Sequence, residues 1–188
     1  ELRDKVLRHS RRNGHPRQFA HVCASPDPVG ALADLLVSTI NQNVTAWRSA
    51  PAAVTVERQV VRWLAQLVGF DGGGHGLLLG GGSAANLHAV GAAVARALQR
   101  QPDATRERLV LYTSRETHLS LAKAARFVGV GHVRALPVDA ERRLSPGVLR
   151  DAIQADRSAG LMPMMAVGSA GTANAGSITV STDTPDEC

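Results

Sequence analysis

The sequence predicts an α/β fold, a mostly parallel sheet flanked by helices and preceded by N-terminal helices. Three observations predict it. From Leu77 onward, short apolar runs of strand type alternate with helical patterns that stop at glycine, the mark of βαβ units. Aromatic residues make up only 3% of a chain that is 44% hydrophobic, so the core must be built from Ala, Val and Leu. Such a core suits helices packed on a sheet better than a small barrel. Finally, the first apolar run opens into Gly80-Gly81-Gly82-Ser83 and then a helix, the junction at which parallel sheets place anions.

The elements follow in order. Residues Glu1 to Arg17 are polar and basic and read as a solvated segment. Asp27-Pro28 is a helix start, Asp as cap and Pro in the first turn, and the helix continues through Leu32, Leu35, Leu36 and Ile40. A second helix spans roughly Ala52 to Val68 with an apolar face of Val56, Val60, Leu64, Leu67 and Val68, stopped by Gly69. Trp47, between these helices, reads as a packing anchor. A glycine loop covers 71–76. Leu77 to Leu79 then reads as strand and Ser83 to Leu98 as helix, with Leu87, Val90, Val94 and Leu98 on one face. Leu109 to Tyr112 is strand, Leu119 to Val128 helix, Val133 to Pro137 strand, Ser145-Pro146 onward helix, and Met162 to Val167 strand. The organisation is an N-terminal basic segment with helices over 1–70, an α/β unit over 71–178 and a polar tail over 179–188.

Bulk properties narrow the function classes. The 188 residues carry a formal charge of +5, almost all of the positive charge being Arg; Lys5 and Lys123 are the only lysines. This balance suits phosphates or acidic ligands, and no interleaving of basic and aromatic residues points to nucleic acid. No apolar run reaches membrane length. Cys23 and Cys188 allow one disulfide on count alone but do not point to a secreted disulfide framework, and the expected location is the cytoplasm. His9, His15 and His21 have no Cys or carboxylate cluster beside them, so no metal site is expected.

Three stretches carry candidate chemistry. In the first, glycines let backbone N–H groups approach an anion, Ser83 can cap the helix and donate its hydroxyl, and the helix dipole favours negative charge. No Lys follows as a P-loop requires. Gly80, Gly82 and Ala85 loosely fit a dinucleotide fingerprint, which with Arg115 on a 2′-phosphate would make an NADP-binding oxidoreductase domain. Gly81, Ser83 and Ala85 only approach a nucleophile elbow. The second stretch, Ser114 to Ser120, lies just past the C-terminal end of the LVLY strand, where parallel sheets bind ligands. There His118 begins the next helix and offers a flat ring that can stack on a planar cofactor. The third, Ala166 to Ile178, leaves a buried strand through small residues, with the Thr172 hydroxyl on the same edge.

Taken together and in order, these stretches resemble the pyridoxal-phosphate-dependent group II amino acid decarboxylases, of the aromatic-L-amino-acid and glutamate decarboxylase type. The resemblance is carried by HPRQF (His15 to Phe19), LADLL (Leu32 to Leu36), the run from Asn41 to Leu64, GGSAANL (Gly81 to Leu87), YTSRETHLSLAKAA (Tyr112 to Ala125) and AGLMPMMAVGSAGTANAGSI (Ala159 to Ile178). It implies part of a large domain of the aspartate-aminotransferase type, normally dimeric, and pyridoxal 5′-phosphate as cofactor. By this resemblance Gly82 and Ser83 hold the cofactor phosphate, His118 stacks on its ring as the catalytic histidine, and Thr172 belongs to the cofactor pocket. Ala24 and Ser25 line the substrate pocket. The implied reaction converts an L-amino acid, an aromatic one before others, to its amine and CO₂.

The sequence departs from the family at several positions. Ala84 stands where the family has a long polar residue, Thr172-Ala173 where it has paired threonines, Val54-Thr55 where it has Thr-Glu, and Thr179 where it has Asp; Glu57 is kept. The family's Schiff-base lysine and its aspartate for the pyridine nitrogen are not matched, because Lys5 and Lys123 lie in other contexts. The 188 residues alone are therefore expected to be inactive, as a fragment of a longer enzyme or, alternatively, as a non-catalytic, partner-binding remnant.

Overall fold

The computed structural model describes residues 1–18, 24–70 and 75–179. His21, Cys23, Cys188, most of the glycine loop and nearly all of the polar tail lie outside the described residues. Two compact units divide the chain, Glu1–Leu78 and Leu79–Cys188.

The first unit is helical. A short α1 (Leu2–Lys5) leads to a 3₁₀ turn at Leu7–His9. Helix α2 spans Pro28–Ile40, and Asp27 caps it as its neighbours dictate: its Oδ1 accepts the Val29 N–H at 3.0 Å. Asn41 ends it in the left-handed region at φ 47°. Helix α3 spans Pro51–Leu67, and Gly69 at φ 68° ends it. The apolar stripe expected on α3 is largely exposed at Val56, Leu64, Leu67 and Val68, whereas Val54 is buried. Trp47 is exposed too, not the packing anchor its composition suggests. Amphipathic spacing fixes a helix without fixing what covers its apolar face.

Leu77 to Leu79 does not form the expected strand. A strand exists only through a paired ladder. Here no described strand pairs with the run, and the Leu78 N–H is taken by Glu57 Oε1 at 3.0 Å.

The second unit is a three-layer α/β arrangement. Its strands are β1 (Leu109–Ser114), β2 (His132–Leu136) and β3 (Met162–Ala166), all parallel in the order β2-β1-β3. Helix α4 (Gly82–Arg100) precedes β1, α5 (Ser120–Phe127) joins β1 to β2, and α6 (Pro146–Ser158) joins β2 to β3. Every residue of central β1 is buried, as a parallel strand covered on both faces should be. Period-two alternation sorts its side chains. Leu109 and Leu111 pack with Val90 and Val94 of α4 and with Leu121, Ala124 and Ala125 of α5. Val110 and Tyr112 pack on the other face with Leu136, Leu144 and Ile153. The expected α4 stripe is thus the buried one, with Val90 and Val94 at its centre.

Two details show how sequence shapes this unit. Pro163 lies on β3, where the ladder with β1 is interrupted between Val110 and Leu111; a bulge tolerates a residue without an N–H. On the α6 side the buried Asp156 carboxylate receives Arg134 Nε at 3.1 Å, Arg134 Nη2 at 2.7 Å and the Tyr112 hydroxyl at 3.0 Å, which satisfies a charge that burial would otherwise make costly.

Candidate functional site

The candidate site lies in the second unit, at the C-terminal end of its parallel strands. There the chain enters α4 through Gly81, whose φ of +128° is one that side-chain-bearing residues rarely adopt. A Cβ at Gly80, Gly81 or Gly82 would meet open space, so the backbone is bare on the approach to the helix. Gly81, rather than Ser83, is the N-cap; Ser83 is the second helical residue and makes no capping bond. The reason is local: the glycine's unusual φ already turns the chain into the helix, which starts one residue earlier than expected. The first intrahelical bond is Ala85 N–H to Gly81 C=O at 3.1 Å, so the amides of Gly82, Ser83 and Ala84 have no acceptor among the described residues. No acidic residue occupies this first turn, Ala84 included, and the Ser83 hydroxyl has no partner among the described residues. Three free N–H donors, a hydroxyl and the positive end of a 19-residue helix form an anion cradle.

His118 stands two residues before α5 rather than at its first residue, in the loop that leaves β1. That loop is tightly built. The Ser114 N–H donates to Thr117 Oγ1 at 3.0 Å, and the Thr117 N–H to Ser114 C=O at 3.1 Å. The imidazole is exposed, yet its Nδ1 accepts the Ser120 N–H at 3.3 Å and lies 2.7 Å from Ser120 Oγ. Ser120 in turn receives Asn86 Nδ2 at 2.8 Å, from α4. Ser83, Leu87, Ser120 and Lys123 line one open cleft, so the start of α4 and the first turn of α5 face the same space.

Thr172, in the loop after β3, is buried. Its hydroxyl lies 2.9 Å from Ser177 Oγ, which donates to the Arg142 carbonyl at 2.9 Å, so the Thr172 proton goes to Ser177. What Thr172 offers a ligand is its remaining acceptor capacity. Arg142 also pairs with Glu116 at 3.6 Å, tying the His118 loop, the loop after β2 and the Thr172 loop together at one end of the sheet. Ala24 and Ser25 belong to the first unit and are exposed; Ala24 lines an open cleft there with Arg11, Arg12 and His15. Among the described residues no group of three or more His, Cys, Asp or Glu could hold a metal ion, and no helix is long and apolar enough to cross a membrane.

Reading the sequence alone passed over Asn86, Ser120, Arg142 and Ser177. The first two had a signal: an amide three residues after the cradle serine, and a hydroxyl two residues after the histidine. Arg142 and Ser177 had none, because only the fold brings them to Glu116 and Thr172.

Comparison with known proteins follows the same lines. The pyridoxal-dependent decarboxylase conserved domain matches residues 2–185. The chain is 34% identical over 176 residues to an aromatic-L-amino-acid decarboxylase of Bacillus atrophaeus, covering 93% of this chain and 36% of that protein. It is 38% identical over 182 residues to a tyrosine decarboxylase of Oryza sativa subsp. japonica (92% and 34%), and 33% identical over 175 residues to human cysteine sulfinic acid decarboxylase (89% and 35%). Among solved structures, Oryza sativa TDC with PLP and tryptamine superposes with a TM-score of 0.86 at 30% identity, over 95% of this chain and 41% of that one. The chain spans about a third of the length of these curated relatives.

Proposed function

We propose that this chain, which belongs to the pyridoxal-dependent decarboxylase family, supplies the phosphate cradle and the ring-stacking histidine of an enzyme that converts an aromatic L-amino acid to its amine and CO₂. The observation that carries the reading is the junction of α4 and α5. Asn86 on the cradle helix bonds Ser120, and Ser120 bonds the His118 ring, so an anion cradle and a planar ring are held in one site.

These residues fit the cofactor. The free amides of Gly82, Ser83 and Ala84 and the Ser83 hydroxyl would hold its phosphate, with no carboxylate in the first turn to oppose it. The His118 ring would cover one face of the pyridine and keep water from it. Thr172 would accept from a polar group at the rim; a substrate-pocket role for Ala24 and Ser25 rests on the family resemblance alone. When bound, pyridoxal phosphate supplies an electron sink for the pair released as a Cα–carboxylate bond breaks. The aromatic preference rests on the relatives' names, the amine product on the family, and a homodimer on the resemblance to that family.

The cradle is tested by titrating the chain with pyridoxal phosphate. Saturable binding that Ser83→Ala weakens is expected, and no binding by the unsubstituted chain overturns the cradle. The enzyme reading is tested by the coding sequence downstream of Cys188: the family's Schiff-base lysine is expected there, and its absence overturns catalysis. Amine production from tyrosine, tryptophan and cysteine sulfinate by the product of that longer sequence decides the substrate class.

A further inference from the structure

Three groups meet where α4 and α5 cross, and their hydrogen-bond directions are mutually fixed. The Ser120 N–H can only donate, and at 3.3 Å its acceptor is His118 Nδ1, so that nitrogen carries no proton. The Ser120 hydroxyl, 2.7 Å from the same nitrogen, must then donate to it as well. Its oxygen is left to accept, and Asn86 Nδ2 donates to it at 2.8 Å. The opposite orientation of the Asn86 amide would present a carbonyl to Ser120, draw its proton away and leave Nδ1 without it. The direction therefore runs from the Asn86 amide through the Ser120 hydroxyl to His118 Nδ1. The ring proton sits on Nε2.

We infer that Asn86 and Ser120 are positioning residues for His118. They hold an exposed ring in one orientation and as one tautomer, and they tie it to the helix whose first turn forms the anion cradle. Asn86 stands three residues after Ser83, almost one turn along the same helix, so the place of the ring is referenced to the place of the phosphate. Ser120 is 5% exposed and Asn86 half-buried; among the described residues these bonds are what compensates the burial of their polar side-chain groups. This rests on the cofactor reading given above for what the ring is held against, but not for the hydrogen-bond direction itself.

The test has two readouts, both on the 188-residue chain. Ring ¹⁵N NMR of His118 reports the tautomer without cofactor. The unsubstituted chain is expected to show Nε2–H. Ser120→Ala, which removes the 2.7 Å hydroxyl bond and leaves only the long 3.3 Å backbone N–H on Nδ1, and Asn86→Asp, which turns the donor into an acceptor and draws the hydroxyl proton away, are expected to admit the Nδ1–H form beside the Nε2–H form; Ser120→Thr, which keeps the hydroxyl, should restore the single form. Urea midpoints identify any variant that has lost its fold, and Ser120→Thr against Ser120→Ala remains the deciding pair. The second readout is affinity for pyridoxine 5′-phosphate, which has ring and phosphate but no aldehyde to react with surface lysines. Ser120→Ala should bind it roughly fivefold to tenfold more weakly, the loss expected when a hydrogen bond orienting a contact group is removed. An Nδ1–H tautomer in the unsubstituted chain, or tautomers unmoved by both substitutions, overturns the positioning role even where the ligand binds. Expected tautomers with no pyridoxine 5′-phosphate binding overturn the cofactor reading and leave the hydrogen-bond direction standing.

Discussion

Arg134 on β2 meets Asp156 on α6 through two parallel hydrogen bonds, Nη2 to Oδ1 at 2.7 Å and Nε to Oδ2 at 3.1 Å. The Tyr112 hydroxyl of β1 adds a third to Oδ2 at 3.0 Å. One carboxylate thus joins two strands and a helix on the face of the sheet away from α4 and α5. Asp156→Ala strands a buried phenol hydroxyl and an arginine fork, and it should cost about 1–3 kcal/mol or more, whereas Tyr112→Phe removes one bond and should cost about 1 kcal/mol. Urea denaturation of the two variants tests the order; a larger loss for Tyr112→Phe would refute it.

The same trio fixes a pH dependence. The hydrogen bonds from Arg134, reinforced by Tyr112, hold the Asp156 carboxyl below the ordinary carboxylate range. A carboxyl with a lowered folded value stabilises the fold fully above its unfolded value, about pH 4, and loses that contribution as pH falls through the folded one. The Tyr112 hydroxyl is shifted upward, first by burial and then by its bond to Asp156, so its contribution is present below about pH 10 and is lost as pH rises toward the folded value. Urea midpoints against pH should fall at both ends. Asp156→Asn should flatten the acid limb and Tyr112→Phe the alkaline one; limbs unchanged in both variants would place the titration elsewhere.

Gly131 and Gly91 make opposite predictions for the same substitution. A Cβ on Gly131 would overlap the backbone carbonyl of Glu107, because the Gly131 N–H bonds the neighbouring Arg106 carbonyl at 2.8 Å. Backbone cannot move aside as a side-chain tip can, so Gly131→Ala should destabilise by about 1–3 kcal/mol. Gly91, inside α4, has open space where its Cβ would be, and Gly91→Ala should stabilise by about 1 kcal/mol through helix propensity. Thermal or urea midpoints of the pair give the two signs directly.

What was legible in the sequence and what was not divide along physical lines. The βαβ alternation, the α4 stripe of Val90 and Val94, and the start of α2 at Asp27-Pro28 all depend on local spacing and capping, which a sequence carries on its face. Leu77 to Leu79 looked like strand for the same reason and is not one, because pairing is non-local and Glu57 takes the Leu78 N–H. The α3 helix and its apolar face were legible too, but not that face's exposure: periodicity marks an apolar face without naming its cover. At the site, the glycine turn, His118 and Thr172 were visible as residue types in order. Ser83 as a cap was not borne out, since Gly81 turns the chain itself. The partners that orient His118 and Thr172 come from residues 34 and 35 positions away from the groups they reach, Asn86 from Ser120 and Arg142 from Ser177.

Ser83 should matter to anion affinity and hardly at all to stability. Its hydroxyl has no partner among the described residues, so Ser83→Ala removes no internal bond and slightly improves helix propensity. Toward a phosphate dianion, however, the lost hydrogen bond is charge-assisted and worth about 1.5–3 kcal/mol, roughly a tenfold to hundredfold loss of affinity. Titration with pyridoxal phosphate beside a urea midpoint separates the two effects. A destabilised variant with unchanged affinity would show that Ser83 serves the fold instead.

Arg142 is held at φ +60°, in the left-handed region, while its carbonyl accepts from Ser177 and its guanidinium pairs with Glu116. The two side-chain and backbone contributions can be separated by comparing Arg142→Ala with Arg142→Gly. Both lose the ion pair, whose arginine is half exposed and which is worth no more than about 1 kcal/mol. Only glycine also relieves the left-handed backbone, which costs other residues about 1–2 kcal/mol. In most positions glycine is the less stable of the two through its greater unfolded-chain entropy. Here the order should reverse, with Arg142→Gly more stable than Arg142→Ala by up to about 1 kcal/mol, and near the unsubstituted chain. The usual order would mean that the loop relaxes out of the left-handed region once the guanidinium is gone. In that case the ion pair with Glu116 is what holds the Arg142 carbonyl against Ser177, and through Ser177 holds Thr172 in place.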